Sequence, residues 1–290
     1  MKKAFTVVAM LAGLAAAAGN GFAQNAGQPL LEQGITHAVA DGTELKLDLA
    51  RPSTGEGPFP AIVYFDGNCW GYCGGTRGTY DWEIGIAAQH GYVAATVDVR
   101  KLQTVGREYK NTFPTQVYDA KAAVRWLRAN AAKYNIDSNH IGATGWSSGG
   151  HLALMLGLTD ASDGLEGNGP NMEFSSRVQA VVSSCAPSDL SNGYELNREI
   201  VTAFIGASPT QAPEKYKAAS PIFWVTADDP PVLIISGDKD DGFGQSVLLD
   251  AKLQEAGVVH SLIVKKGKGH CDFIFGADYL NWFDKYLKGR

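Results

Sequence analysis

The sequence is poor in cysteine and in charge, and each shortage excludes a class of protein. Four cysteines in 290 residues are too few for a disulfide-rich scaffold, and the pair Cys69 and Cys73 lacks a second Cys or His pair at a spacing that a zinc site could use. Charged residues make up 19% of the chain, with a net charge of −5 and no basic stripe, so nucleic acid is not an expected partner. No repeat or low-complexity linker divides the chain, and its 45% hydrophobic content can fill one large core.

Long apolar runs are also scarce, and the longest lies at the N-terminus. Met1-Lys2-Lys3 precedes apolar residues 4–18, and Gly21-Phe22-Ala23 follows them. This order is typical of a secretory signal peptide, so we expect cleavage after Ala23, export to the periplasm or the medium, and one domain over residues 24–290. The run is shorter than the ~20 residues of a membrane-spanning helix, which argues against stable membrane insertion.

Export would place the cysteines in an oxidising compartment. Four cysteines can then form two disulfides, in three possible pairings. We expect Cys69 to pair with Cys73, and Cys185 with Cys271.

Short apolar runs alternate with segments of helical periodicity along the rest of the chain. The first two runs flank Asp41-Gly42, a strong hairpin signal, and the later runs have the near-continuous apolar character of buried parallel strands. The sequence therefore predicts an α/β fold with a mostly parallel sheet of about eight strands and helices on both faces. The expected strands lie at 35–39, 44–50, 61–65, 92–99, 141–145, 178–183, 232–235 and 261–264, and the expected helices at 81–89, 115–134, 148–158, 245–255 and 277–287.

A cluster of glycines surrounds two serines between one expected strand and the next helix. Gly145-Trp146-Ser147-Ser148-Gly149 matches G-x-S-x-G in the strand–turn–helix context of a nucleophile elbow. Glycine in this number is costly unless the backbone needs it, and a sharp turn with close neighbours supplies that need. The motif predicts Ser147 as a nucleophile, at a helix N-terminus whose free N–H groups favour negative charge.

A serine nucleophile needs a base and an acid that orients the base. Asp238, Asp240 and Asp241 follow the strand at 232–235, and His270 follows the strand at 261–264. Three adjacent buried carboxylates would repel one another, so we expect at least one to be solvated. The residues alone leave open which of the three is the acid. His151, four residues after Ser147 on the same helix, is expected to pack rather than to react.

These residues, together with "YDAKAAVRWLRANAAKYNID", "APSDL" and "PPVLIISGDKDD", resemble an α/β-hydrolase. The resemblance is to the secreted carboxylesterase and feruloyl-esterase-like branch, related to the hormone-sensitive lipase group. It implies Ser147 as nucleophile, Asp240 as the acid of a Gly-x-x-Asp pattern, and His270 as the base of a Gly-x-Gly-His pattern. No cofactor or metal is implied.

The resemblance also implies an oxyanion hole, for which this chain departs from the family pattern. Residues 66–70 stand where the family has a His-Gly-Gly-Gly-Trp-like loop, and only Gly67 and Trp70 fit it. Backbone N–H donors need no particular side chain, so we expect Asn68, Cys69 and Ser148 to donate. Asp66 would oppose an oxyanion, and we expect it to face away and to hold the loop by hydrogen bonds. Candidate substrate-binding residues are Trp70, Tyr72 and Trp146.

The expected activity is hydrolysis of carboxylic esters through an acyl-enzyme. Short-chain or aromatic acyl esters, including carbohydrate- or polysaccharide-linked ones, suit a site whose one candidate lid is the segment 187–218. Alternatives are a serine peptidase of the prolyl-oligopeptidase type and a non-catalytic binding protein on the same fold. The oligomeric state stays open.

Overall fold

The computed structural model describes residues 27–74, 77–192, 198–273 and 277–289. The expected signal peptide at 1–23 lies outside them. The strands are β1 (Leu30–Ala40), β2 (Thr43–Arg51), β3 (Phe59–Phe65), β4 (Val93–Val97), β5 (Gln103–Val105), β6 (Glu108–Lys110), β7 (Ile136–Trp146), β8 (Ala180–Ser184), β9 (Val232–Gly237) and β10 (His260–Lys265). The helices are α1 (Asp81–Gln89), α2 (Thr115–Ala129), α3 (Ala131–Tyr134), α4 (Ser148–Leu158), α5 (Arg198–Ile205), α6 (Pro213–Ala218), α7 (Phe243–Ala256) and α8 (Ala277–Leu287).

The main sheet has eight strands in the order β1-β2-β4-β3-β7-β8-β9-β10. The pairs β1–β2 and β2–β4 are antiparallel, and the pairs from β4 through β10 are parallel. The expected hairpin joins β1 to β2 through Asp41 and Gly42, whose φ angles of 50° and 76° are those of a tight hairpin turn. The predicted mostly parallel sheet of about eight strands is thus confirmed.

Apolar side chains cover both faces of the sheet. Along β3, Ala61, Val63 and Phe65 belong to the core on one face, while Ile62 and Tyr64 belong to the core on the other. Helices α2, α4 and α7 pack into the first core, and α1 and α8 into the second. Because both faces are buried, the parallel strands need the continuous apolar runs seen in the sequence.

The structure departs from the expected elements in a few places. The helix expected at 115–134 is two helices, because the backbone leaves the helical conformation at Asn130, and Asn135 then ends α3 with a left-handed φ of 57°. The small hairpin β5–β6 was not predicted, since its six residues carry no apolar alternation. Within the candidate lid at 187–218 lie α5 and α6. Among the helices described, none is long and apolar enough to cross a membrane.

Candidate active site

The serine turn has the strained geometry of a nucleophile elbow. Ser147 lies between β7 and α4 with φ 51° and ψ −120°, outside the regions that side chains ordinarily allow. The flanking glycines are required by close approach: a Cβ on Gly149 would lie 2.1 Å from the Phe65 carbonyl oxygen, and one on Gly145 would lie 2.5 Å from the Gly149 carbonyl carbon. The turn thus holds Ser147 at the carboxyl end of the sheet.

Ser147, His270 and Asp240 form a hydrogen-bonded line. The Ser147 Oγ atom is 3.0 Å from His270 Nε2, and His270 Nδ1 is 3.0 Å from Asp240 Oδ2. Asp240 accepts the Nδ1 proton, which leaves Nε2 free to accept the serine proton. Three separate strand ends, those of β7, β9 and β10, bring these residues together, as open parallel sheets do.

Asp240 is the carboxylate that its surroundings keep ionised. It is 7% exposed, and its Oδ1 accepts the Gly242 amide at 2.8 Å. Burial raises its pKa, but hydrogen bonds from His270 and Gly242 oppose this and hold the pKa below the ordinary value. Asp238 and Asp241 are exposed, and Asp238 accepts the amide of Gly267 at 2.6 Å. Among the three carboxylates, the structure therefore brings Asp240 to the imidazole.

The loop after β3 lies directly beside the nucleophile. A Cβ on Gly67 would lie 2.6 Å from the Trp146 carbonyl oxygen and 3.3 Å from Ser147 Cβ. The Asn68 side chain accepts the Gly71 amide at 2.7 Å, and Cys69 and Trp70 both have φ of 56°. The expected Cys69–Cys73 disulfide is present and closes this turn. The backbone N–H groups of Asn68 and Cys69 are thus carried by a cross-linked loop next to Ser147.

Asp66 is tied into the base of the same loop. Burial raises its pKa, and hydrogen bonds from Tyr80, the Gly67 backbone and the Asn68 side chain partly oppose that rise. It lines a small cavity with the core residue Leu152. These contacts are those expected of a residue that holds the loop.

The aromatic candidates differ in their exposure. Trp70 is 3% exposed, stacks on Phe204 with ring centroids 4.0 Å apart, and donates through Nε1 to His151 Nδ1 at 3.1 Å. Its expected place in a substrate pocket is corrected: the ring lies in the core, because Phe204 and His151 cover it. Tyr72 is 43% exposed and Trp146 stacks on Phe273, so both stay candidates.

His151 connects the loop after β3 to the rest of the core. Its Nδ1 accepts the Trp70 proton, and its Nε2 donates to the Ala219 carbonyl at 2.7 Å. Burial lowers the pKa of this imidazole to about 4, which keeps it neutral and in one tautomer. The expected packing role is therefore accompanied by a hydrogen-bonded one, which the sequence did not indicate.

The expected Cys185–Cys271 disulfide is wrong for this structure, where both cysteines are free. The Cys185 sulfur instead accepts the Cys271 amide at 3.0 Å, and its thiol is hydrogen-bonded to Asp240. The Cys185 thiol beside it, together with burial, raises the pKa of the Cys271 thiol. The Cys185 sulfur is thus hydrogen-bonded to the Cys271 amide and to the Asp240 carboxylate, and it is not covalently bonded to the Cys271 sulfur.

The sheet order, the elbow and the Ser–Asp–His line together define an α/β-hydrolase. The BD-FAE family model matches residues 47–253, and the chain belongs to this family.

Individual relatives of this chain are esterases. Esterase LipC of Mycobacterium tuberculosis is 31% identical over 63% of this chain and 45% of its own length, and Esterase LipQ of the same organism is 29% identical over 81% and 56%. The chain thus spans about half the length of these curated relatives. A solved structure, a truncated form of a carbohydrate esterase from gut microbiota, is 28% identical with a TM-score of 0.77, over 92% of this chain and 99% of that one.

Proposed function

We propose that the protein is a serine carboxylesterase that forms an acyl-enzyme on Ser147. The observation that carries the proposal is the double hydrogen bond of His270, 3.0 Å to the serine hydroxyl and 3.0 Å to the Asp240 carboxylate. The esterase names of the relatives support the same reaction.

The two hydrogen bonds of His270 set the order of proton transfers in the proposed reaction. His270 Nε2 takes the hydroxyl proton as Ser147 Oγ attacks the ester carbonyl carbon, and Asp240 stabilises the imidazolium that forms. The imidazolium then gives its proton to the departing alcohol, which leaves the acyl group on Ser147. A water molecule, deprotonated by His270, attacks that acyl group, and His270 returns the proton to Ser147 Oγ as the acid leaves. Residues of this chain supply each proton transfer.

The negative oxygen of the tetrahedral intermediate needs N–H donors. Ser148 begins α4, where backbone N–H groups lack helical partners, and the Asn68 and Cys69 amides directly follow Gly67, whose backbone lies against Trp146 and Ser147. Losing one such donor costs ~2.7–4 kcal/mol of transition-state stabilisation. We assign the oxyanion hole to these three backbone groups.

For substrate, we propose short-chain or aromatic acyl esters on sugars or polysaccharides. The side chain of His270 is 45% exposed, so a bulky alcohol portion can reach the serine without entering a closed pocket. The carbohydrate esterase among the similar structures supports this choice of alcohol. Tyr72 and Trp146 are the aromatic residues we assign to contact with the substrate.

The test compares the unmodified chain with Ser147→Ala and Asp240→Asn on p-nitrophenyl acetate, butyrate and decanoate, methyl ferulate, acetylated xylan and a peptide p-nitroanilide. Ser147→Ala should abolish ester turnover, and Asp240→Asn should lower kcat by about 10⁴-fold because the imidazole loses its orienting partner. Asp238→Asn, an exposed carboxylate of the same turn, is the matched control and should retain activity.

Equal rates from the unmodified chain and Ser147→Ala would refute the serine mechanism. Faster cleavage of the anilide than of every ester would favour a peptidase, and decanoate as best substrate would contradict the carbohydrate assignment.

We also propose that the protein is exported by the segment 1–23. N-terminal sequencing of protein recovered from the periplasm or medium should begin at Gln24. Recovery of intact Met1 from the cytosol alone would contradict export.

A further inference from the structure

Two cysteines that have no part in the proposed reaction form a cluster with the proposed catalytic histidine. One ligand atom each from Cys185, His270 and Cys271 lies within 4.8 Å of the others. Cys185 follows directly after β8, and Cys271 follows directly after His270. We call these three residues the thiol–imidazole cluster.

The backbone holds both sulfur atoms in place at a conformational cost. Cys185 has a φ of 52° and Cys271 a φ of 51°, in the left-handed region that side chains with a Cβ rarely adopt. Neighbouring strands fix the first of them, since the Cys185 amide donates to the Ile235 carbonyl at 2.9 Å. The Cys271 amide donates to the Cys185 sulfur at 3.0 Å, which holds the two residues against each other.

The donor set is that of a soft or borderline cation. Two thiolates and an imidazole are standard ligands of Zn²⁺, with bonds of about 2.0 Å to nitrogen and 2.3 Å to sulfur. Tetrahedral ligands at those distances are roughly 3.3–3.8 Å apart, so ligand atoms that lie within 4.8 Å of one another need to move closer by at most about 1 to 1.5 Å. A metal ion can reach the cluster from solvent beside His270, whose side chain is 45% exposed.

We propose that the thiol–imidazole cluster binds Zn²⁺ or Cd²⁺ and that the bound ion inhibits the enzyme. Binding displaces the two thiol protons to solvent and involves no oxidation. His270 has only two ring nitrogens, and ester hydrolysis uses both, one toward Ser147 and one toward Asp240. A metal on either nitrogen removes one of those contacts. The inhibition rests on the proposed function, whereas the binding does not.

Binding is tested with Cd²⁺ on the unmodified full-length or mature chain, through the ultraviolet charge-transfer absorption of cadmium–thiolate bonds. Cys69 and Cys73 are joined in a disulfide, so only Cys185 and Cys271 can give this absorption. We expect saturation at one equivalent, and an at least about tenfold loss of affinity in Cys185→Ser and in Cys271→Ser. Asp272→Asn, an exposed carboxylate next to Cys271, is the matched control and should bind as the unmodified chain does.

Two further measurements test the metal site without a cysteine variant, in case such a variant folds poorly. Cd²⁺ should protect both thiols of the unmodified chain from alkylation, read by intact mass. Ser147→Ala should keep the absorption although it has no ester turnover. Absence of the absorption and of the protection would overturn the site and leave the esterase proposal standing.

Inhibition is tested with Zn²⁺ in the ester assay. We expect ester turnover to fall at least about tenfold at saturating Zn²⁺, to recover with a chelator, and to resist Zn²⁺ in the cysteine variants. Equal inhibition of the cysteine variants and the unmodified chain would overturn the assignment, as would cadmium–thiolate binding that leaves turnover unchanged.

Discussion

The neutral, fully buried imidazole of His151 should make the protein less stable in mild acid. In the native state its pKa is lowered to about 4, against 6.5 for a solvated histidine. Above pH 6.5 the imidazole is neutral in both folded and unfolded chains and adds no pH dependence. Below 6.5 the unfolded chain binds a proton that the folded chain excludes, so the free energy of unfolding falls until the pH reaches about 4.

The size of the effect follows from the two pKa values. At about pH 5, this group alone should lower the free energy of unfolding by about 2 kcal/mol, and at its limit, below pH 4, by about 3 kcal/mol. Protonation also gives Nδ1 a hydrogen that faces the Trp70 donor, which breaks the contact between α4 and the loop after β3.

The assay is urea unfolding, followed by tryptophan fluorescence, at pH 7 and about pH 5. His151→Gln removes the titrating group, and the loss of buried hydrogen bonds should cost about 1–3 kcal/mol at pH 7. Its further loss at pH 5 should be smaller than that of the unmodified chain by about 2 kcal/mol. Leu154→Ala, a buried apolar change in the same helix, is the matched control and should keep the full pH dependence. The reasoning is refuted if His151→Gln and the unmodified chain lose equal free energy on acidification.

Two other predictions concern stability. Gly149→Ala places a Cβ 2.1 Å from the Phe65 carbonyl oxygen and should lower the free energy of unfolding by about 3 kcal/mol, whereas Gly244→Ala, with open space around it in α7, should raise it by about 0.5–1 kcal/mol. Urea unfolding measures both, and a mild effect at Gly149 would contradict the close approach. Replacing Cys69 and Cys73 by serine opens a five-residue ring and should cost about 2 kcal/mol by the loop-entropy relation. An unchanged urea midpoint would show that the disulfide does not stabilise the fold.

Where the signal is local, the sequence predicted the structure closely. The strand–glycine–serine–helix pattern predicts the elbow because the backbone of a sharp turn constrains residue type within a few positions. Helix α4 therefore begins at Ser148 and ends at Leu158, as expected. The continuous apolar runs predict buried strands for the same local reason.

Contacts between residues far apart in the chain were much harder to predict from the sequence. Trp70 resembles a pocket residue by its place beside a glycine, yet its ring stacks on Phe204, which is 134 positions away in the chain. The hydrogen bonds of His151 to Trp70 and Ala219 likewise join residues that are far apart in the chain. No periodicity or motif encodes a pair of residues that distant.

The sequence by itself determined the α/β order of elements, the serine at the turn and the Ser–acid–His order along the chain. Only the tertiary structure decided which of three aspartates contacts His270. Asp240 is buried and hydrogen-bonded to the imidazole, whereas Asp238 and Asp241 are exposed to solvent. The tertiary structure likewise decided that Cys185 and Cys271 meet beside His270 as free thiols. Sequence patterns fix what a segment becomes, whereas the contacts between strand ends depend on how the sheet brings distant segments together.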